Sequence, residues 1–576
     1  MTSQTNDILR RQKPTATAVQ DVRVQDDNLV WTDPSDGAQQ HQVRLDQVLF
    51  TLPAAPEGSI IVCLVEDDDT AAAAAEHKKT QPPFRLVALR ADGDGSPLTE
   101  QLLLRDGRER VDELPAHLRR RRDDDGKDAN DVRVVVSTGS GVGHAVAFWE
   151  QVLRPLFTLV GEALGQREEA AVGADPKDVV VTEDAHSVRR FARALSERRS
   201  KGERQGRGEE GSSTTVILLS GDGGVADLLN GIGGSSSSSD GSTAVPVPPP
   251  APLVALLPLG TANALFHSLH KPVSTGPSPL VLALRTLFLG APADLPAFRA
   301  SFSPGARIVS YATSPTPPSA EAGGKDSNND AVESLYGAIV ASYGFHASLV
   351  HESDTPAYRV HGSKRFGMVA QDLLRESHPY RARLFIRRPS ASASASSTSA
   401  SAPNGAPPPP PAPAYASASS PPQQPLEPFP PGSSDGGNGG NTHAYVLATM
   451  VSNLERTFTI SPASTPLDNR LRLVHFGPIG GPRTMEVMMA AYDGGAHVGM
   501  AWDDDDDDGG HHHHRVAYEE VDELRVEVRE DDDARWRVFC VDGTIVEVPR
   551  RGHMAVEKAK PGLLRVLVDP RVQGRR

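Results

Sequence analysis

With 576 residues the chain exceeds what one hydrophobic core supports, so about two to four domains are expected. A net charge of −15 excludes a broad electrostatic hold on nucleic acid and leaves at most a local basic face for an anionic membrane. Two cysteines, Cys63 and Cys540, exclude a disulfide framework. The N-terminus lacks an apolar stretch of signal length and no run reaches about 18 apolar residues, so a soluble, cytoplasmic protein is expected.

In chain order, residues 28–105 alternate like strands in "NLVWTD", "HQVRLDQVLFTL", "SIIVCLVED" and "FRLVALRA". They predict a small β-rich accessory module over 1–118, followed by a charged, solvated linker over 119–131. From 132 to 305 strands and helices alternate. "VRVVVS" leads through "STGSGVG" to a helix on which Ala147, Trp149, Val152, Leu156, Leu159 and Val160 share one side. Strand "DVVVTE" and helix "HSVRRFARALSERR" follow. Then strand "TTVILLS" meets helix "VADLLNGI", and strand "LVALLPLG" meets "TANALFHSLH". This pattern predicts a doubly wound, largely parallel α/β domain with ligands beyond the carboxyl ends of its strands.

Residues 306–576 read as a β-rich, sandwich-like domain: "ARIVSYAT", "YGAIVASYGF", "RARLFIRR", "HAYVLATMVSN", "LRLVHFG", "TMEVMMAAY" and "ELRVEVRE" as strands, with one helix, "RFGMVAQDLLRESH". Segments 233–252, 312–330 and 389–441 are Ser-, Gly- and Pro-rich and predict flexible, disordered insertions. The fold class expected is therefore α/β plus β, with a nucleotide-binding domain between the N-terminal module and the sandwich.

The tips of the α/β domain carry the chemistry. Ser220, Gly221, Asp222 and Gly223 lie between a buried strand and a helix. Glycines admit a polyphosphate against backbone N–H groups, whereas an aspartate there repels phosphate. Asp222 is thus either a proton acceptor for an attacking hydroxyl, a metal-positioning group, or a turn residue that caps the helix after it. Gly260, Thr261 and Asn263 form a second such tip, and Thr138, Gly139, Ser140 and Gly141 a third, weaker one.

Taken together these segments resemble the diacylglycerol kinase catalytic-domain family, and within it the sphingosine kinase branch. The resemblance rests on Ser220-Gly221-Asp222-Gly223 with Asn230-Gly231, on Pro258-Leu259-Gly260-Thr261-Ala262-Asn263, and on Thr182-Glu183 with His186. It extends through Gly344-Phe345-His346-Ala347, Glu352-Ser353, Arg359, Gly362 and Arg365-Phe366 to Val541-Asp542-Gly543. It implies ATP-dependent phosphorylation of a lipid alcohol (a sphingoid base, diacylglycerol or ceramide) at a membrane surface, with peripheral membrane contact and no nucleic-acid partner. Asp222 would be the general base. Thr138 to Gly141, Thr182, Ser220, Gly221, Gly223, Gly260, Thr261, Asn263, Arg359, Arg365, Asp542 and Gly543 would line the nucleotide site. Mg2+ would bridge the phosphate oxygens without a dedicated protein ligand. The resemblance also implies that "LLRVLV", 563–568, returns to the α/β sheet.

The chain departs from the family in three places. Ser137-Thr138 replaces Asn-Pro at the first tip, with His144 near where a basic residue falls. Thr544 replaces a glutamate after Asp542-Gly543, so Asp542 acts alone or Glu547 substitutes. No carboxylate lies within Ser348–His351, where sphingosine kinases carry an aspartate for the substrate amine. Two other functions stay open: a catalytically degenerate lipid-binding or scaffold member, because of the first two departures, and NAD kinase-like chemistry, because that superfamily is similar in its glycine-aspartate-glycine tip. A long-chain substrate also predicts a deep apolar pocket in the β-rich domain. The run "DDDDDDGGHHHH", 503–514, reads as a low-complexity hairpin loop before a metal site, and "PPPPPAPA", 407–414, as a spacer before a ligand for an SH3-type domain.

Overall fold

The computed structural model describes residues 16–36, 39–55, 58–66, 82–92, 110–122, 128–166, 172, 175–204, 213–234, 250–274, 276–309, 331–362, 364–390, 425–431, 441–505, 511–531 and 533–573. The Pro-rich tract 407–414 and most of the three predicted insertions lie outside these residues.

The N-terminal strands form a six-stranded sheet in the order 39–44, 28–33, 17–25, 84–92, 58–66, 48–53. The apolar strand Val48–Pro53 carries Leu49, Phe50 and Leu52, which are fully buried in one core with the neighbouring α/β layer. Phe50 packs on Phe288 at 5.0 Å and Phe84 on Phe148 at 5.0 Å. The Arg285 guanidinium donates to the carbonyls of Asp46 and Val48. The segment between the two units is fastened as well. Asn130 donates to the carbonyls of Ala116, His117 and Arg119, and Arg120 pairs with buried Asp178 at 2.8 Å. Residues 128–131, read as linker because of their charge, are the opening residues of the strand Asp128–Val136.

The central sheet runs 291–294, 565–568, 253–258, 213–220, 128–136, 121–122, with 179–181 also on 128–136. Its main strands pair in parallel, as the βα alternation predicts. The returning strand is Arg565–Val568, which lies parallel to Leu253–Pro258 and antiparallel to Ala291–Asp294. Helix Asp222–Gly233 begins three residues earlier than its apolar periodicity suggests, because Asp222 and Gly223 themselves form its first turn.

The C-terminal part contains two antiparallel seven-stranded sheets. Phe298, Val526 and Met554 of one share a core with Tyr343, Leu447 and Phe539 of the other, and Phe302–Phe539 and Tyr343–Tyr380 bridge them. Three expectations change here. "TMEVMMAAY" belongs to a helix, Gly480–Tyr492, rather than a strand. Met, Glu and Ala favour helix, and the buried residues Gly481, Thr484, Val487 and Ala491 recur at helical spacing. Strand Val340–Gly344 runs directly into a further helix, Phe345–Ser353, through Gly344 at φ 88°. A Cβ there would meet the Ala444 carbonyl at 2.7 Å. Within the predicted insertion 389–441, Glu427–Phe429 is a strand paired with Tyr380–Arg387, held by buried Phe429 against His475 at 5.1 Å.

Two polar straps join the α/β domain to the sandwich. Asn230 accepts from Tyr336 N at 2.9 Å and donates to Tyr336 O at 2.8 Å, so a side-chain amide closes a strand-like pair. Buried Ser268 donates to Asn453 O and accepts from Asn453 N at 3.0 and 2.9 Å.

The sandwich also buries His443 and His475, hydrogen-bonded to each other at 2.9 Å. Burial holds His443 down at about 4 and His475 well below the usual histidine value of 6.5. A histidine that stays neutral when folded stabilises fully above its unfolded value. That contribution is lost as pH falls from about 6.5 towards 4, at about 1.4 kcal/mol per unit of depression. Thermal unfolding midpoints are therefore expected to fall steeply between pH 6.5 and 4.5. The slope should be shallower in His475→Phe, whatever that variant's midpoint at pH 7.5.

Candidate active site

Parallel register aligns the carboxyl ends of three strands: Val136 lies beside Leu219, and Ser220 beside Pro258. The loops leaving them therefore adjoin. Leu259 N donates to Ser220 O at 3.2 Å and Ser137 N to Leu219 O at 3.0 Å. Ser140 Oγ lies 3.0 Å from Ser220 Oγ and accepts from Gly221 N at 3.4 Å. All three predicted tips are thus brought together.

The glycines of these tips divide into two groups. Gly221 and Gly260 lie back to back: a Cβ on Gly221 would come within 2.8 Å of Gly260 Cα, and a Cβ on Gly260 would collide with Gly221 Cα. Gly141, at φ 55°, is closed off by the Leu259 carbonyl. These three are glycine because backbone packs on backbone. Gly139 and Gly223 face open space, with nothing within 4 Å of a Cβ, and are the positions a ligand can approach.

Asp222 is half-buried in the first turn of its helix, yet it does not cap that helix. Its Oδ2 accepts from Ala264 N at 2.8 Å and its Oδ1 from Leu265 N at 3.0 Å, so it caps the neighbouring helix Ala264–His270. Asn263, the nominal cap of that helix, sits at φ 51° and turns its amide back on its own loop, accepting from Gly260 N and donating to Gly260 O and Pro258 O. Burial raises the Asp222 carboxyl above the usual aspartate value, and the two N–H groups oppose that shift. Each carboxylate oxygen keeps a second lone pair for an incoming proton.

The remaining predicted residues take different places. Thr261 is exposed at its tip. Thr182 is buried, and its hydroxyl accepts from Thr138 N at 2.9 Å while Thr138 Oγ1 donates to Thr182 O. It therefore shapes the first tip. Asp542 and Gly543 have φ 45° and 87° and form the two-residue turn between strands Val538–Val541 and Thr544–Glu547, the Asp-Gly hairpin signature. The Asp542 carboxylate accepts from Ala338 N, Ile339 N and Val340 N at 2.6–3.1 Å. Burial pushes it up to about 7, those donors oppose the shift, and the neighbouring Asp222 charge adds to it. Glu547, the residue offered in place of the absent glutamate, has both carboxylate oxygens hydrogen-bonded to Arg307.

Arg359 and Arg365 meet on Asp354. Arg359 binds it through two hydrogen bonds at 2.9 and 2.6 Å. Arg365 approaches only to 3.9 Å, stacks over Phe366 at 4.9 Å, and leaves a buried Nε without a partner. Of the two, Arg365 retains capacity for an anion.

Beside the tips lies an apolar pocket lined by Leu265, Leu269, Leu295, Ala338, Met450 and Leu467, among others. Leu265 and Ala338 line it and also donate their N–H groups to Asp222 and Asp542. It encloses about 20 Å³, room for about one water. The deep pocket expected for a long chain is therefore not what these residues enclose here. Sequence reasoning missed this lining and the Ala338–Val340 donors, since backbone N–H groups have no residue signature. For a nucleotide, the open Gly139 and Gly223 fit close approach of phosphate. For Mg2+ the described residues offer no dedicated cage, since no group of three His, Cys, Asp or Glu converges among them.

Residues 159–291 match the family model of the diacylglycerol kinase catalytic domain. Among solved structures, a candidate diacylglycerol kinase from Bacillus anthracis str. Sterne aligns with 77% of this chain and 96% of its own, at 11% identity and a TM-score of 0.40. A diacylglycerol kinase from the same organism aligns with 77% of this chain and 98% of its own, at 11% identity and a TM-score of 0.36. No curated protein matches the chain.

The two groups of glycines should separate on substitution. Gly260→Ala is expected to lower stability by about 1–3 kcal/mol through the collision with Gly221. Gly223→Ala should melt within about 0.5 kcal/mol of the parent and show its effect in nucleotide binding instead. Denaturant unfolding together with nucleotide titration of both variants checks this.

Proposed function

We propose that this chain, which carries a diacylglycerol kinase catalytic domain over residues 159–291, is an ATP-dependent kinase that phosphorylates the hydroxyl of a lipid alcohol. The observation that carries the reading is the Asp222 carboxylate, fixed where the glycine-rich tips meet and bound by Leu265, which also lines the apolar pocket.

In the proposed reaction the lipid hydroxyl approaches from the pocket side and gives its proton to Asp222 as its oxygen attacks the γ-phosphorus. The bond from that phosphorus to the bridging oxygen breaks, ADP leaves, and Asp222 returns the proton to solvent. Burial makes Asp222 a stronger base than a free aspartate, and the Ala264 and Leu265 amides hold its orientation. Arg365 supplies positive charge for the transferring group, while Arg359 and Asp354 hold each other in place. Any Mg2+ would arrive with the nucleotide, since the described residues form no cage for it; no step here depends on one.

The composition of the pocket supports a neutral substrate. Its lining has no ionisable residue, so the ammonium of a sphingoid base would find no carboxylate there. A neutral alcohol such as a diacylglycerol or ceramide suits it better. A long alkyl chain would have to part the walls, and such substrates partition to a membrane surface, where we place the reaction. Among the described residues no helix is long and apolar enough to cross a membrane. A second reading, a non-catalytic lipid-binding protein, is favoured by Thr544 in the place of the family's glutamate.

Transfer of labelled γ-phosphate to a panel of diacylglycerol, ceramide, sphingosine and NAD tests these readings together. Label in a neutral lipid is expected, with an acid limb in kcat lying above pH 3.8 because the Asp222 value is raised. Asp222→Asn should lower kcat by about 10²–10⁴. Because it also removes a cap, its melting and nucleotide affinity must be measured alongside. Full activity in a folded Asp222→Asn protein would remove the base; label in NAD alone would remove the lipid.

A further inference from the structure

We propose that the N-terminal sheet is a positioning element of the nucleotide site: Phe84 holds the far half of the tip at 138–143 in the form that receives phosphate. The proposal rests on the nucleotide reading of that tip and gives the N-terminal module a task in the same reaction.

The two halves of the tip are held by different parts of the chain. The first half is tied to its neighbouring loops. Thr138 N donates to Thr182 Oγ1 at 2.9 Å, Ser140 Oγ lies 3.0 Å from Ser220 Oγ, and Gly141 lies against the Leu259 carbonyl. The second half turns outward. Val142 is 81% exposed, and Gly143 sits at φ 80° with its N–H returned to Ser140 O at 2.9 Å. Gly141 and Gly143 both have positive φ, and glycine has the most backbone freedom to lose, so this turn is costly to order.

His144 closes the turn and starts the helix, its carbonyl accepting from Phe148 N at 2.9 Å. Buried Phe84 meets both of these residues. Its ring stands edge-on to His144 at 5.9 Å, with planes 83° apart, and to Phe148 at 5.0 Å, with planes 74° apart. Both are favourable aromatic geometries. Behind them the helix widens into a π turn at Trp149–Leu153, and strand Phe84–Asp92 lies against it. Such turns are rare and often sit at functional sites. A side chain from another sheet thus sets where the helix begins, and with it where the outward turn must end. Gly139, which is open to a ligand, belongs to the same loop.

The physical consequence is preorganisation. A loop that adopts its binding form only part of the time binds with an affinity reduced by that fraction. Loss of the Phe84 ring releases the far half of the tip and moves its ordering cost onto the nucleotide.

The test compares Phe84→Leu with Phe50→Leu in the full chain. Both remove a ring from the same core, but Phe50 packs on Phe288 of the helix Pro279–Leu289. Hydrogen–deuterium exchange is read over residues 137–148 without nucleotide, ATP affinity by titration, and folding by melting. In Phe84→Leu, exchange there should quicken at least about fivefold and ATP should bind about three- to tenfold more weakly, with the loss in KM for ATP rather than in kcat. Phe50→Leu should change neither by more than about twofold. Should Phe84→Leu not fold, Phe84→Met makes the same comparison. Unchanged exchange in the Phe84 variant, or equal quickening in the Phe50 variant, overturns the positioning role. Faster exchange with unchanged ATP affinity overturns its link to the nucleotide. A parent chain that binds no ATP removes the nucleotide reading and that link with it, while the exchange comparison still decides whether Phe84 holds the tip.

Discussion

The arrangement of the site depends on one pair of hydrogen bonds, those from Ala264 and Leu265 to the Asp222 carboxylate. The helix Ala264–His270 has seven residues, too short to hold itself together, and its nominal cap Asn263 is turned away. A charged acceptor from the next loop supplies what the helix lacks, at about 1.5–3 kcal/mol for a bond to a charged group. This contact demands that two strand–helix turns touch, and they touch only because Gly221 and Gly260 have no side chains. Fold and prospective chemistry therefore share a single carboxylate.

The same device recurs on the other side of the domain joint. Asp542 uses its carboxylate to collect the N–H groups of Ala338, Ile339 and Val340, just as Asp222 collects two from the opposing helix. The two acids are linked by a continuous path. The helix that begins at Asp222 presents Asn230 to Tyr336, and the chain from Tyr336 runs directly into the amides that hold Asp542. The Ser268–Asn453 strap fixes the opposite wall of the apolar pocket.

What was legible in the sequence was whatever local periodicity and glycine spacing report. The βα alternation, the three tips and the returning strand near 565 were readable because a buried strand followed by glycines and an apolar helix is a local pattern. The partners of those tips were not. Asp222 could be read as a base or as the cap of its own helix, and nothing in the residues indicates that it caps another. The Gly-rich tips read as phosphate cradles, the one at 138–141 weaker than the others, whereas packing divides their glycines into Gly221, Gly260 and Gly141 against Gly139 and Gly223. Asp542-Gly543 read as a ligand motif, and the structure places it in a hairpin turn whose aspartate collects backbone amides. "TMEVMMAAY" read as a strand because a short apolar run carries little periodicity. The docking of the N-terminal sheet through Phe50 and Phe84 is purely tertiary.

In the proposed reaction one carboxylate serves as both cap and base, and this has a consequence for turnover. While ionised, Asp222 accepts two charge-assisted bonds. Once it takes a proton it is neutral, and those bonds weaken to the ordinary strength of about 0.5–1.5 kcal/mol. The difference acts as a restoring force, because the protonated state costs part of the helix cap and the cap is recovered when the proton leaves. Burial works in the opposite sense by raising the affinity for the proton. The two effects bracket the base: burial lets it take a proton from an alcohol, and the helix amides keep it from retaining one.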